Sequence, residues 1–321
     1  MSSTPADAAG TTGPLPAVPA RRGWRSNPHL WFWIFTGPFF AGLLIFTIFP
    51  IIWSIYLSFF EARNTVTPTH FVGLENYTRM LSDPAFRSSL LTFVVFAAFI
   101  VPTTFALSLG LAVLVNSVRA AQAFFRSVFF LPIACSYVAA ALIWRNSLFS
   151  GVSSGLVNSV LGLFGKDPVA WLSVVQPPWY WLVITTVRLW LQVGFYMVLF
   201  LAALQRIPRG QYEAAALDGA VGWKAFRYIT FPQLRATSTA VLMLLLVNAF
   251  QAFDEFYNLM VNSSGTYPPY ARPPLVYLYN IALGSVQDFG NGSAGAVILT
   301  LIIAIFALLQ GRLTGLGRRS D

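Results

Sequence analysis

Six long apolar runs, separated by polar stretches rich in proline and glycine, organise this 321-residue chain. The first runs from Trp31 to about Phe60, and the others lie near 89–116, 123–147, 179–204, 236–261 and 293–311. Each has about the 20 residues that a helix needs to cross the hydrocarbon layer. The connection over 61–88 holds Glu61, Asn64, Glu75, Asn76 and Asp83. The connection over 147–178 is rich in Gly and Ser and ends in Pro177-Pro178, and that over 262–292 carries Pro268, Pro269, Pro273 and Pro274. Backbone in lipid must satisfy its own hydrogen bonds. The pattern therefore predicts an all-α membrane protein with six transmembrane helices and no strands.

Composition agrees. The chain is 56% hydrophobic and only 10% charged, against roughly 25% charged residues in soluble domains. Its formal charge of +9 forms no stripe, so no nucleic-acid partner is expected. The scattered basic residues read as topology signals. Arg21, Arg22, Arg25, Arg119, Arg126, Arg206, Arg209, Lys224, Arg227, Arg235, Arg312, Arg318 and Arg319 fall on one side. Arg63, Arg79, Arg87, Arg145, Lys166 and Arg272 fall on the other, mostly in longer loops, and Arg188 lies within the fourth run. The bias places both termini in the cytoplasm. Residues 1–20 lack apolar periodicity, so a disordered cytoplasmic tail is expected over 1–28, a six-helix domain over 29–313 and a cytoplasmic C-terminal tail over 314–321. Arg21-Arg22 before an apolar run also fits a signal peptide. The run is too long for one, no small-residue cleavage site ends it, and further spans follow.

Candidate catalytic motifs fail on context. Gly151-Val152-Ser153-Ser154-Gly155 matches a nucleophile elbow in letters, but it falls in a loop, with no strand before it and no supporting histidine. Gly165-Lys166-Asp167 lacks the upstream glycine of a phosphate loop, and Asp stands where Ser or Thr would hold magnesium. The lone Cys135 and the distant His29 and His70 offer neither a disulfide nor a metal site. No catalytic residue and no cofactor is assigned to this chain. ATP and magnesium, if they power it, belong to another subunit.

The most informative polar stretch covers 206–234. Pro208 suits a first helical turn, and Gln211 to Ala220 is built of strong helix formers. Gly219 and Gly222 break it, Trp223 to Tyr228 adds a turn or two, and Pro232 interrupts the helix before the fifth run. Ala214, Ala215 and Ala216 give a smooth face that lets another backbone come close. Glu213 lies near the helix N-terminus, where the dipole favours its charge and a partner's arginine can pair with it. Two readings stand: a docking helix for a cytoplasmic partner, or an amphipathic helix lying on lipid headgroups. The lack of a coherent large-apolar face around Glu213 weakens the second.

Ile207-Pro208, Tyr212-Glu213-Ala214-Ala215, Asp218-Gly219-Ala220 and Ile229-Thr230-Phe231-Pro232 together resemble the EAA signature of binding-protein-dependent ABC importer permeases. Phe71 to Tyr77, Phe125 to Pro132, Leu201 to Gln205 and Phe250 to Asp254 fit the same family, so the likeness runs from about 31 to 311. It is nearest to the carbohydrate-uptake permeases of the maltose and glycerol-phosphate systems. The resemblance implies that Glu213, Ala214, Ala215, Asp218, Gly219 and Pro232 belong to a coupling helix segment docked in a cleft of an ATPase subunit. It further implies a homologous permease partner, two ATP-binding subunits, an extracytoplasmic solute-binding protein and a sugar-like substrate. The setting would be the lipid of a bacterial cytoplasmic membrane, and the mechanism alternating access. Asn262 to Pro269 departs from the family's usual turn after the fifth span, so no contacts are carried over to 262–275.

Polar groups inside an apolar run are costly and by default mark a pathway. The fifth run offers Asn248, Gln251, Asp254, Glu255, Tyr257 and Asn258. On one continuous helix, Asn248, Gln251 and Glu255 share a face, as do Gln251, Asp254 and Asn258. Amides, carboxylates and aromatic faces suit a polyol. The two carboxylates would lie near the outer third of the span, where plain solvation is the alternative. Arg188 could neutralise one of them, as a structural ion pair or beside substrate. A second functional reading is an ion-gradient-driven transporter with Asp254 and Glu255 as ion sites.

Overall fold

A computed structural model describes residues 28–118, 121–262, 265 and 267–313, and the chain divides into two units between Trp53 and Ser54. The tails expected over 1–28 and 314–321 lie outside the described residues, Pro28 excepted. Arg119 also lies outside them.

The N-terminal unit is a helix from Pro28 onward: α1 (Pro28–Leu43), a π-helical turn over Leu44–Ile48, and the start of α2 (Phe49–Leu57). Trp33, Phe35, Phe39, Phe46, Phe49 and Ile52 are all exposed around it. A helix apolar on every side meets the requirement of a lipid-facing span.

The second unit begins with a correction. A short antiparallel pair, β1 (Phe60–Glu61) with β2 (His70–Phe71), stands where no strand was expected. Its cause is buried Asn76, whose Nδ2 donates to the carbonyls of Ser58 and Phe60, both at 2.9 Å. That amide draws the chain back beside α3 (Glu75–Ser82). Asp83 then caps α4 (Pro84–Ser117) by accepting from the Ala85 N–H at 2.8 Å, with proline in the first turn.

The third run is not one straight helix. α5 (Gln122–Phe130) tightens into a 3-10 turn over Leu131–Ala134, and α6 (Tyr137–Ile143) leads into a π turn over Trp144–Leu148. The two arms meet at 94°. Pro132 withholds an N–H just before the corner, and Ser136 starts the new helix by accepting from the Ala139 N–H at 3.1 Å. After α7 (Leu156–Leu163) comes α8 (Tyr180–Leu204), the most enclosed of the long helices among the described residues. At Gly194 a Cβ would stand 1.7 Å from the Phe129 carbonyl oxygen, so the backbones of α5 and α8 meet there.

The polar stretch over 206–234 forms α9 (Arg209–Leu217), α10 (Trp223–Ala225), a π turn over Phe226–Thr230 and α11 (Phe231–Gln233). Helical structure carries on through Pro232, and the corner falls at Leu234, with a bend of 71° into α12 (Arg235–Phe250). The fifth run also breaks. α12 stops at Phe250, and after three residues the helix resumes as α13 (Asp254–Met260). The 16 residues of α12 reach only about 24 Å, short of the ~30 Å hydrocarbon layer. The single helix expected over 236–261 is therefore two pieces, and its shared faces do not exist. α14 (Pro274–Ala282) and α15 (Phe289–Leu313) complete the unit.

Two apolar cores lie toward opposite ends of α8. One gathers Phe86, Phe149, Trp171, Tyr180, Phe256 and Tyr277. In this first core burial pushes the Tyr267 phenol well above its usual range, and its O–H donates to the Ala271 carbonyl at 2.6 Å. Burial, reinforced by a hydrogen bond to Asp83, likewise raises Tyr277. The other core gathers Ala112, Phe200, Leu204, Ile207 and Leu234, with Tyr212 and Phe226 packed on it.

Candidate functional site

The arm between α8 and α12 has an inner and an outer face. Tyr212 and Ala215 turn inward, and Ala215 is buried. The Tyr212 hydroxyl lies 2.9 Å from the Thr230 hydroxyl, and the Gln233 amide donates to Gln211, so α9 is clamped to the segment that follows it. The helix ends where Gly219 adopts φ +74°. The Ala220 N–H bonds to the Ala215 carbonyl at 2.8 Å and the Gly219 N–H to the Ala216 carbonyl at 3.1 Å. That paired closure is a Schellman stop, which favours glycine because a side chain strains positive φ. Glu213, Ala214, Asp218 and Pro232 are exposed. Beside them Leu217 is 91% exposed, with Val221 and Trp223 also out. Sequence reasoning missed these three. Leu217 stands four residues beyond Glu213, so the helical spacing could have found it.

The fifth-span residues sort into two groups. Glu255 is buried and bonded to Arg188, whose other nitrogen Nη2 donates to the Asn248 carbonyl at 2.6 Å. Asn248 spends its own amide on the Tyr196 hydroxyl at 3.3 Å and the Leu244 carbonyl at 3.2 Å. Gln251 and Asp254 are exposed, and Tyr257 and Asn258 are half-buried. The Asn258 amide turns back to the Asp254 carbonyl at 2.7 Å. Tyr257 stacks on Phe253 with ring centres 5.3 Å apart, and Tyr279 of α14 stands edge-on to Tyr257 at 5.2 Å. Between 251 and 257 the chain thus offers donors and acceptors on exposed Gln251 and Asp254 and π faces on Phe253 and Tyr257, with Tyr279 beside the rings. Tyr279 was not legible as a partner, because only the return of α14 brings it to Tyr257, whereas Phe253 stands four residues before Tyr257, a helical spacing that could have found it.

No protein-family model matches the chain. The lactose transport system permease protein LacF of Rhizobium radiobacter is 31% identical over 283 residues, covering 87% of this chain and 92% of its own. The arabinooligosaccharides transport system permease protein AraP of Bacillus subtilis is 31% identical over 315 residues, covering 95% and 96%. The chain belongs to the ABC importer permease family. A solved bacterial ABC transporter involved in the import of the acidic polysaccharide alginate shares the fold, with a TM-score of 0.77 at 20% identity over 90% of this chain and 96% of that one.

The permease is a membrane transport subunit and not an enzyme. The ion-gradient alternative loses one of its two carboxylates as well, since Glu255 is already neutralised by Arg188. Arg188 therefore pairs within the protein.

Proposed function

We propose that this permease carries a sugar or sugar-like solute across the bacterial cytoplasmic membrane by alternating access, driven by ATP hydrolysis in separate subunits. The observation that carries this reading is the outer face of α9. A carboxylate, a small-residue patch and nearly bare Leu217 stand on a helix whose inner face is clamped to its own chain. Leu217, Val221 and Trp223, all exposed and close in sequence, add an apolar group rimmed by polar residues, the kind of surface that marks an interaction site. The cover we infer is an ATPase subunit, with Glu213, Ala214, Asp218 and Gly219 at or beside the contact. Ala215 and Pro232 contribute by shaping the arm, Ala215 from its buried side.

The topology we propose is six spans, both termini cytoplasmic, within a domain over 29–313. Among the described residues four helices are long and apolar enough to cross, and up to six spans result if each bent pair is one; we take the bent third run and α12 with α13 as the other two. The basic residues Arg206, Arg209, Lys224, Arg227 and Arg235 lie on or beside the arm, as the positive-inside rule asks. The remaining parts are a homologous permease subunit, two ATP-binding subunits that hold ATP and magnesium, and an extracytoplasmic solute-binding protein. The permease itself binds no cofactor in this reading. Lactose and arabinooligosaccharides are the cargoes named for the relatives, and a polyol suits the Gln251, Asp254 and Tyr257 surface. Asn248 and Asn258 flank that pathway, while Glu255 supports it from inside.

Glu213→Ala tests the docking. Losing one charge-assisted contact of about 1.5–3 kcal/mol cuts ATP-driven uptake about tenfold or more, with membrane levels of the permease unchanged. Normal uptake by a stably inserted variant would refute it. Binding of lactose, maltose, arabinotriose and glycerol 3-phosphate to the cognate binding protein identifies the cargo class.

A further inference from the structure

Arg188 and Glu255 form a buried ion pair, each side chain 3% exposed, in the apolar interior of the bundle. The arginine does more than neutralise. Its Nη1 donates to Glu255 in the first turn of α13, and its Nη2 donates to the Asn248 carbonyl in the last turn of α12. The two acceptors therefore lie on opposite sides of the break at 251–253. The guanidinium also lies 5.3 Å from the ring centre of Phe96 on α4. That contact fixes the fork's plane from a third helix.

A parallel arrangement stands one turn further along α8. The Gln192 amide donates to the Tyr137 hydroxyl at 2.7 Å. Tyr137 opens α6, immediately past the corner that interrupts the third span. Residues four apart share a helix face, so one face of α8 meets both interrupted spans at their breaks through polar side chains. Apolar packing also holds α13, through Phe256 and Leu259. Such packing is non-directional and tolerates sliding. A planar fork bonded to two fixed acceptors does not.

We propose that Arg188 is a positioning residue of the transport cycle. It ties α13 to α12 across the break, so that movement of α12 carries α13, and Tyr257 with it, against Phe253 and Tyr279. The α9 arm reaches α12 through the clamped segment 223–233, so the tether is the next link outward. This rests on the coupling role proposed for the arm.

The test replaces both partners, Arg188→Met with Glu255→Leu, which removes the fork without stranding a buried charge. Apolar replacement of a buried pair is commonly neutral for stability, so the melting temperature is expected to hold within about 3 °C. The assembled complex is reconstituted in liposomes with ATP and sugar-loaded binding protein. Uptake is measured with labelled lactose, or with the panel sugar that the unaltered complex takes up. ATP hydrolysis should persist while sugar moved per ATP falls about tenfold. Arg188→Lys, which keeps the charge but loses the fork, should fall between. Equal sugar per ATP in the double variant would overturn the proposal. Hydrogen–deuterium exchange supplies a readout that needs no pump. In the double variant the amides of α13 should exchange about tenfold faster while those of α12 hold, and equal rates in α13 would overturn the tether on their own. ATP-independent uptake by the unaltered complex would count instead against the importer reading.

Discussion

At Gly194 the main chains of two helices touch, and the space for a side chain is absent. A methyl group there would meet the Phe129 carbonyl at 1.7 Å, whereas Gly110 on α4 has nothing within 4 Å of the same position. Gly194→Ala should therefore cost about 1–3 kcal/mol by forcing α5 from α8, and Gly110→Ala, free of any clash in mid-helix, should be neutral or stabilising by up to about 1 kcal/mol. Thermal unfolding of the two variants in the same detergent compares them directly. Glu255→Gln belongs to the same scale. It leaves the Arg188 charge buried without its counter-ion, and a loss of about 3–5 kcal/mol is expected, seen as a lowered melting point that the apolar double replacement does not share.

Asn158 shows how one side chain builds an element. Its Nδ2 stands 3.1 Å from each of the carbonyls of Ser150, Val152 and Val169, which share its two N–H groups, and its oxygen accepts from the Val169 N–H and the Trp171 indole. The glycine- and serine-rich stretch that imitates a nucleophile elbow is thereby a structured loop pinned to α7. Asn158→Ala strands several of these groups at about 1–3 kcal/mol for each one left buried. Faster protease nicking between 150 and 171, with the spans intact, is the expected sign. In the α9 arm, the element's two faces separate folding from docking. Leu217→Ser alters a side chain that is 91% exposed, so stability should change by less than about 0.5 kcal/mol, while co-purification of the ATPase subunits drops. Retained co-purification would remove Leu217 from the contact.

For the molecule as a whole, the two cores at opposite ends of α8 separate two polar ends. One carries the arm, the other the Asn158 loop and the segment around Tyr267. Orientation is therefore open to one labelling experiment. In a Cys135→Ser background, Phe164→Cys and Trp223→Cys place thiols at residues 76% and 74% exposed. A membrane-impermeant maleimide should label position 164 in intact spheroplasts and position 223 only after permeabilisation. The reverse result would invert the topology and remove the arm from reach of any cytoplasmic ATPase.

The order of residues alone determined the apolar runs, the arm with its glycine stop, and the family likeness. These follow from hydropathy and local backbone preference, which act over a few neighbours. Tertiary structure decided where the spans break, which way each alanine of the arm points, and which carboxylate is free. The break at 251–253 shows why. No proline or glycine occupies those positions, and the break is bridged by an arginine sixty residues away in α8 that reaches Asn248 and Glu255. Glu255 and Asp254 are neighbours of one charge type, yet one is sealed against Arg188 and the other faces out. That choice depends on a partner brought close only by packing, and no local pattern encodes it.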